Sequence, residues 1–197
     1  MNDFWNQRFS AEEYAYGTKP NQFYSEILKT LNPGKILFPG EGEGRNAVFA
    51  ATKGWQVYAF DLSTEGKRKA EMLASEKNVS INYCISGYED VQFKSETFDC
   101  VVLIFAHLHP QKRAEIHKKM VSFLKPGGTL ILEGFSKKQI NYNSGGPGDV
   151  NMLFSTEELK NDFEMLTELQ ISEEEITLDE GPFHQGKASV IRVQGVK

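Results

Sequence analysis

The glycine-rich run Gly40-Glu-Gly-Glu-Gly44 follows the apolar stretch Ile36–Phe38 and constrains the fold more than any other segment. Glycine permits sharp turns and a close approach of the backbone to a ligand, which a Cβ would block. Arg45–Lys53 then has the apolar spacing of a helix, so we expect the turn to present free backbone N–H groups to a bound molecule. Strand, glycine turn and helix together predict the first βα unit of a nucleotide-cofactor fold.

A second predicted strand, Gln56–Phe60, ends in an acidic residue. Asp61 stands 17 residues after Gly44. A carboxylate at the end of this strand can accept hydrogen bonds from both ribose hydroxyls of an adenosine. The ligand is therefore expected to contain an adenosine.

The glycines alone do not decide the cofactor, because Gly42–Ala47 also has the Gly-x-Gly-x-x-Ala form of a dinucleotide fingerprint. Glu41 and Glu43 place two negative charges where a pyrophosphate would bind. Like charges at ~4 Å repel by about 4 kcal/mol at an effective dielectric constant of 20. S-adenosylmethionine has no phosphate and is cationic at sulfur and at its ammonium group. The charges of the loop thus favour S-adenosylmethionine as its ligand. The two alternatives are a dinucleotide and a glycine turn that binds nothing.

The size and charge of the chain limit its class. With 197 residues and a net charge of −5, we expect one domain over residues 1–197, with a lid or helical segment at 1–30 and an α/β core at 31–197. The acidic balance disfavours nucleic acid. No apolar run suits a signal peptide or a membrane span, and no spacing suits a metal. The interpretation is a cytoplasmic protein whose oligomeric state the sequence does not predict.

Only two cysteines occur, and each lies in a predicted apolar strand. Cys84 and Cys100 are expected to be buried and reduced.

Strands and helices alternate along the rest of the chain. Ser63 is a predicted helix cap, Pro110 a predicted helix start, and Ser155 or Thr156 the cap of a short helix at 157–163. Further strands are predicted at 80–85, 98–105, 129–132, 166–178 and 189–196. This alternation predicts an α/β protein with a doubly wound, mostly parallel seven-stranded sheet and one antiparallel strand near the C-terminus.

Three motifs in this order resemble the class I S-adenosylmethionine-dependent methyltransferases: Gly40–Gly44, Asp61, and the strand entry Leu124–Leu132 with its Lys-Pro-Gly-Gly. The opening Phe4–Phe9, together with residues 14–17 and 44–46, is similar to the branch of tellurite-resistance and thiopurine methyltransferases. The resemblance implies a Rossmann-like methyltransferase that uses S-adenosyl-L-methionine, releases S-adenosyl-L-homocysteine and methylates a small molecule. No nucleic acid or membrane partner is implied.

Two positions depart from the family pattern. Phe38 and Gly87 stand where many members have an acid, so Tyr88, Glu89 or Asp90 is expected to meet the adenine, with Tyr88 stacked on it. The predicted cofactor-binding residues are Tyr16, Gly17, Gly40, Glu41, Gly42, Gly44, Arg45, Asn46, Asp61, Leu62, Ser63, Tyr88, Glu89 and Phe105.

Ligands of parallel sheets bind beyond the carboxyl ends of the strands, and three histidines fall there. His107, His109 and His184 are candidates for a catalytic base, and the glycine-rich 141–149 loop is a candidate cover or a plain connection. The acceptor stays open among a thiol, a chalcogen oxyanion, a heterocycle, and a small hydroxyl or amine. Two rival functions stay open as well: an NAD(P)-binding oxidoreductase and a non-catalytic cofactor-binding protein of the same fold.

Overall fold

A computed structural model describes residues 2–197 and shows an α/β fold built on a seven-stranded sheet. The strands are β1 Lys35–Pro39, β2 Gln56–Asp61, β3 Asn82–Ile85, β4 Phe98–Ile104, β5 Leu124–Phe135, β6 Thr167–Asp179 and β7 Gln185–Val196. The α-helices are α1 Asn2–Arg8, α2 Gln22–Leu28, α3 Arg45–Thr52, α4 Thr64–Glu76, α5 Pro110–Ser122 and α6 Thr156–Asp162. The strand order is β3-β2-β1-β4-β5-β7-β6.

The chain comprises two compact units. Unit 1 contains the described residues up to Gln92 together with Glu180–Phe183, and unit 2 contains Phe93–Asp179 and His184–Lys197. In unit 1, β2 pairs in parallel with both β1 and β3. Buried side chains fill these strands, as expected where helices cover a parallel sheet; Ile36, Leu37 and Phe38 are each 0% exposed.

In unit 2, β4 and β5 pair in parallel, whereas β7 runs antiparallel to both β5 and β6. The predicted sheet, with seven strands of which one near the C-terminus is antiparallel, is confirmed. Arg192 of β7 lies opposite Glu133 of β5 and pairs with it at 2.6 Å. Glu133 is buried, so this pair fixes the register of the last strand.

The helix starts follow the predicted caps. The Ser63 side chain accepts the Gly66 N–H at the start of α4, and Pro110 is the first residue of α5. Ser155 and Glu158 form a capping box on α6, in which each side chain bonds the other's backbone N–H.

The burial prediction for the cysteines is half wrong. Cys100 is buried in β4, but Cys84 is exposed, and both are free thiols. Asn82 and Cys84 alternate along one face of β3, the edge strand of the sheet, and both are exposed. The sequence of the strand alone does not show that this face is uncovered. No helix among residues 2–197 has the length and apolar character needed to cross a membrane.

Candidate cofactor site

The three glycines of the loop after β1 all have left-handed backbone. Gly40, Gly42 and Gly44 have φ of +66°, +62° and +87°, a region that side chains with a Cβ rarely adopt. A Cβ on Gly42 would lie 3.0 Å from the Phe9 ring, and one on Gly44 would lie 2.5 Å from the Ala70 Cβ. At these two positions neighbouring side chains leave little room for a Cβ in the loop, hereafter the glycine loop (residues 40–44).

Glu41 closes the amino end of α3 from within the protein. Its Oε1 accepts hydrogen bonds from the backbone N–H groups of Asn46 at 2.9 Å and Ala47 at 2.8 Å. The expectation that these N–H groups are free for a ligand is therefore wrong, because an acidic side chain within the turn can fold back onto them. Burial raises the pKa of Glu41 to about 7, against the two hydrogen bonds that favour its ionised form.

Asp61 lies half-buried at the carboxyl end of β2, beside the glycine loop. Its Oδ2 accepts the Gly42 N–H at 3.2 Å and its Oδ1 accepts the Ser63 N–H at 2.8 Å. Burial raises the pKa of Asp61 above its ordinary value, while these hydrogen bonds oppose the shift. Among the described residues neither Glu41 nor Asp61 forms an ion pair. Glu41 of the loop and Asp61 beside it are therefore two carboxyl groups that form no ion pair, although the charge of Arg45 acts on Glu41 at longer range.

Glu43 has a different role from its neighbour Glu41. Its carboxylate lies 2.6 Å from Lys69 Nζ of α4 and accepts the Ala15 N–H at 2.8 Å. Lys69 is 2% exposed and also donates to the carbonyls of Ala11 and Glu13. This buried ion pair ties the segment before α2 to the glycine loop.

The predicted lid segment lies against the glycine loop within unit 1. Asn6 of α1 accepts a hydrogen bond from the Ser63 hydroxyl at 2.7 Å, and Phe9 faces Gly42. Tyr16 follows in this segment, with its ring 6.4 Å from that of Phe9, and Gly17 has φ of +68°. The predicted cofactor residues Tyr16 and Gly17 thus lie in a segment that packs on the loop.

Arg45 and Asn46, the first residues of α3, bind two other segments of unit 1: the one that contains Glu180 and the one that contains Asn21. Arg45 Nη2 lies 2.8 Å from Glu180 Oε2, and Asn46 Oδ1 accepts the Asn21 N–H at 2.9 Å. Asn21 in turn donates to Glu180 at 3.2 Å. Residues 180–183, which connect β6 to β7, are therefore anchored beside the glycine loop.

Tyr88 reaches the loop from the segment after β3. Its hydroxyl occupies the position that a Cβ on Gly40 would need, and its ring meets that of Phe60 edge-on at 5.4 Å. Burial raises the pKa of Tyr88, with Asp61 and Glu41 adding to the shift. Glu89 and Asp90 are exposed. Of the three replacements predicted for the missing acid, Tyr88 is the one whose side chain meets the loop.

Phe105, the remaining predicted cofactor residue, belongs to unit 2. It follows β4 with φ of +51°, which is unusual for an aromatic residue and signals a constrained turn. Its ring lies 4.6 Å from Phe135 and 4.5 Å from His184. The constrained backbone thus directs this ring into the core of unit 2.

The three candidate histidines have different surroundings. His107 Nδ1 donates to the Met152 carbonyl at 2.9 Å, and its Nε2 accepts the Phe135 N–H at 3.0 Å. Burial lowers the pKa of His107 to about 4. Both ring nitrogens are occupied, so the geometry favours a structural role. His109 caps α5 and is exposed, whereas His184 is 5% exposed.

The 141–149 loop is held near its middle by hydrogen bonds. The Gln139 side chain donates to the Ser144 hydroxyl at 3.0 Å and to the Gly145 carbonyl at 3.1 Å. Its Oε1 accepts the Ser189 N–H of β7 at 2.8 Å. These bonds hold residues 144 and 145 against β7 and favour a fixed connection over a mobile cover.

The sequence reasoning missed several residues that shape the site. Lys69 and Glu180 neutralise Glu43 and Arg45 from distant parts of the chain, and the Tyr83 hydroxyl donates to the Gly42 carbonyl at 2.7 Å. A buried acid in a turn requires a partner, but nothing local to Glu43 identified Lys69.

Comparison with known proteins finds similarity to methyltransferases. Residues 36–128 match the family model described as a methyltransferase domain. A ubiquinone biosynthesis O-methyltransferase of Xanthomonas campestris pv. campestris (strain B100) is 32% identical over 115 residues, which cover 58% of this chain and 48% of that protein. The chain spans about half the length of the curated relatives it matches. A ubiquinone/menaquinone biosynthesis C-methyltransferase of Haemophilus ducreyi is 40% identical over 58 residues, or 29% of this chain and 22% of that one.

Solved structures share the fold across the chain. TehB from Haemophilus influenzae superposes with a TM-score of 0.74 at 18% identity, covering 100% of this chain and 66% of that one. A second structure is described by the conversion of a disulfide bond into a thioacetal group during echinomycin biosynthesis. It superposes with a TM-score of 0.80 at 15% identity, covering 100% of this chain and 91% of that one. The chain is thus similar to methyltransferases in two respects: residues 36–128 match the methyltransferase-domain model, and the fold matches that of a solved structure described as a SAM-dependent methyltransferase from Methanosarcina mazei.

Proposed function

We propose that this protein transfers a methyl group from S-adenosylmethionine to a small-molecule acceptor. The observation that carries the proposal is the Glu41 carboxylate at the amino end of α3. In dinucleotide-binding folds a pyrophosphate occupies the N-terminus of this helix. Here a carboxylate takes that place, so the loop repels phosphate and suits a cationic, phosphate-free ligand.

The residues of unit 1 fit the parts of such a cofactor. Asp61, at the end of β2, is the predicted partner of the ribose hydroxyls, and Tyr88 the predicted neighbour of the adenine. Glu41 and Asp61 form no ion pair among the described residues and would attract the charged methionine portion. This set of predicted contacts supports cofactor binding rather than a glycine turn that binds nothing.

When bound, S-adenosylmethionine supplies an electrophilic methyl group, so the protein need not activate it. The chain has to align a nucleophile at ~3–3.5 Å from that methyl group and exclude water. Such a reaction does not require a nucleophile–base pair. His109 and His184 stay predicted acceptor-side residues that could receive the proton of the nucleophile.

The acceptor class is the finer part of the proposal. The relatives named as ubiquinone biosynthesis O-methyltransferases support a hydroxyl acceptor. A thiol and a chalcogen oxyanion are the acceptors that the sequence resemblance implies. A heterocycle is a further candidate, and the tellurite-resistance and thiopurine branch stays a proposal. We expect the chain to be cytoplasmic.

The test is release of S-adenosylhomocysteine from S-adenosylmethionine in the presence of acceptor pools. The pools contain phenols, aromatic thiols, heterocycles, amines and chalcogen oxyanions, and each is run with and without protein. The proposal predicts acceptor-dependent release with at least one pool. Binding of S-adenosylhomocysteine without turnover on any pool would support the non-catalytic alternative. Hydride transfer with a nicotinamide cofactor would support the oxidoreductase.

A further inference from the structure

Arg8, the last residue of α1, has its guanidinium group fixed by aromatic residues. The guanidinium carbon lies 4.0 Å from the centre of the Phe183 ring and 5.2 Å from that of Phe4. Nη1 donates to the Tyr16 hydroxyl at 3.2 Å. Contacts of this kind between arginine and aromatic rings hold the planar group in one orientation.

The charge of Arg8 is uncompensated, which sets it apart from the other arginines of the chain. Arg45, Arg68, Arg113 and Arg192 pair with Glu180, Glu65, Asp162 and Glu133, respectively. Within residues 2–197, Arg8 pairs with no carboxylate. Its remaining N–H groups can therefore bind an anion in the planar, two-pronged manner typical of arginine.

The surroundings of Arg8 suit a flat apolar group. Phe4 is 54% exposed and Phe183 is 45% exposed, and they are among the large apolar side chains open to solvent. Aromatic rings offer both stacking and edge-to-face contacts to a planar ligand. An exposed pair of rings around a fixed cation matches a ligand that is both aromatic and anionic.

This cluster lies beside the glycine loop. Phe9 follows Arg8 directly, and its ring lies 3.0 Å from the position of a Cβ on Gly42. On the other side of Arg8, Phe183 belongs to the segment that the Arg45–Glu180 pair anchors. A ligand held by Arg8 would therefore lie close to the predicted cofactor position in unit 1.

We infer that Arg8, with Phe4 and Phe183, forms the binding site for the anionic group of a planar aromatic acceptor, such as a ring carboxylate. The inference rests on the proposed methyl transfer to a small molecule. It narrows the acceptor to phenols, thiols or heterocycles that carry a negative charge on or near the ring.

The test compares matched aromatic probes that differ only in a carboxylate. Calorimetry on the full chain saturated with S-adenosylhomocysteine measures the affinity for 3,4-dihydroxybenzoate against catechol, and for 2-mercaptobenzoate against thiophenol. The product form of the cofactor prevents turnover, so only binding is read. We expect the acid of at least one pair to bind about tenfold more tightly or better, because its neutral partner cannot form the charge-assisted hydrogen bonds to Arg8.

The variants assign this preference to Arg8. Arg8→Met should reduce the affinity for the acid to that for its neutral partner, whereas Arg8→Lys should keep part of the preference. Arg68→Met makes the same charge change on the exposed face of α4 and should keep the full preference for the acid over its neutral partner. Retained affinity for S-adenosylhomocysteine shows that each variant is folded.

Two results would overturn the inference: wild-type protein that binds neither acid better than its partner, including no binding at all, or a preference that survives in Arg8→Met. If S-adenosylhomocysteine itself fails to bind, the proposed function fails and the inference falls with it. If it binds and the preference is absent, only the inference fails.

Discussion

Glu41 Oε1 accepts a 2.8 Å hydrogen bond from the backbone N–H of Ala47, so the glycine loop supplies its own anion to the amino end of α3. The helix dipole favours negative charge at this end. Burial opposes that charge and raises the pKa of Glu41 to about 7. The balance between these two effects can be measured from the pH dependence of stability.

Glu41→Gln should remove a pH-dependent part of the unfolding free energy. In the folded protein the pKa of Glu41 lies above its ordinary value of 4.5. The contribution of Glu41 to the stability of the fold is therefore fully present below pH 4.5 and is lost as the pH rises through 7. The unfolding free energy of wild type minus that of Glu41→Gln should fall by about 3 kcal/mol over this interval. Urea titrations at each pH measure it. A difference that stays flat, as expected for the exposed control Glu71→Gln, would contradict the assignment.

His107→Asn should show the opposite dependence. The pKa of His107 is lowered to about 4 from 6.5, so its contribution is full above pH 6.5 and is lost as pH falls through 4. The difference between wild type and variant should shrink by about 3 kcal/mol on acidification. Glu41 and His107 change the stability in opposite directions over overlapping pH ranges. The stability of wild type alone therefore does not separate their effects, whereas the difference between wild type and each variant does. Unchanged stability with a turnover loss of about 10²-fold or more would instead make His107 a base.

Gly42→Ala and Gly54→Ala both place a Cβ on left-handed backbone, but the new methyl group meets a neighbouring side chain only at position 42. Both glycines have positive φ, and alanine there costs about 1–2 kcal/mol. A Cβ on Gly42 presses on Phe9, whereas a Cβ on Gly54 has no neighbour within 4 Å. We therefore expect Gly42→Ala to weaken S-adenosylhomocysteine binding about tenfold or more, with Gly54→Ala unaffected. Equal affinities in the two variants would show that Phe9 does not shape the cofactor site.

Glu180→Gln should destabilise the protein by about 3 kcal/mol, because it leaves Arg45 buried without its carboxylate. Glu71, which pairs with Lys67 on the exposed face of α4, provides the control. Glu71→Gln should change the unfolding free energy by less than about 0.5 kcal/mol. Denaturant titration at neutral pH compares them. A Glu180→Gln protein as stable as Glu71→Gln would mean that the pair does not anchor residues 180–183.

Local patterns were sufficient to predict the presence of every strand and the main helix starts, although β5 and β7 are longer than predicted. Apolar runs marked the buried strands, and Ser63, Pro110 and Ser155 marked the helix starts, because capping depends on residues only a few positions apart. The exposure of Cys84 escaped prediction, since it depends on where β3 lies in the sheet order.

The partners of the site charges could not be predicted for a similar reason. Glu180 stands 135 positions from Arg45, and only the folded chain brings them together. Glu41 and Glu43 look equivalent in sequence, yet one caps α3 and the other pairs with Lys69. The turn geometry of the glycines decides which way each side chain points.

The most direct test of the central claim is calorimetry of the purified protein with S-adenosylhomocysteine and, separately, with NADPH. We predict binding of S-adenosylhomocysteine and no measurable binding of NADPH. Asp61→Ala, folded as judged by thermal unfolding, should weaken the former by about 1.5–3 kcal/mol, and Asp61→Asn by less. Binding of NADPH without S-adenosylhomocysteine, or full affinity in Asp61→Ala, would contradict a methyltransferase cofactor site at the glycine loop.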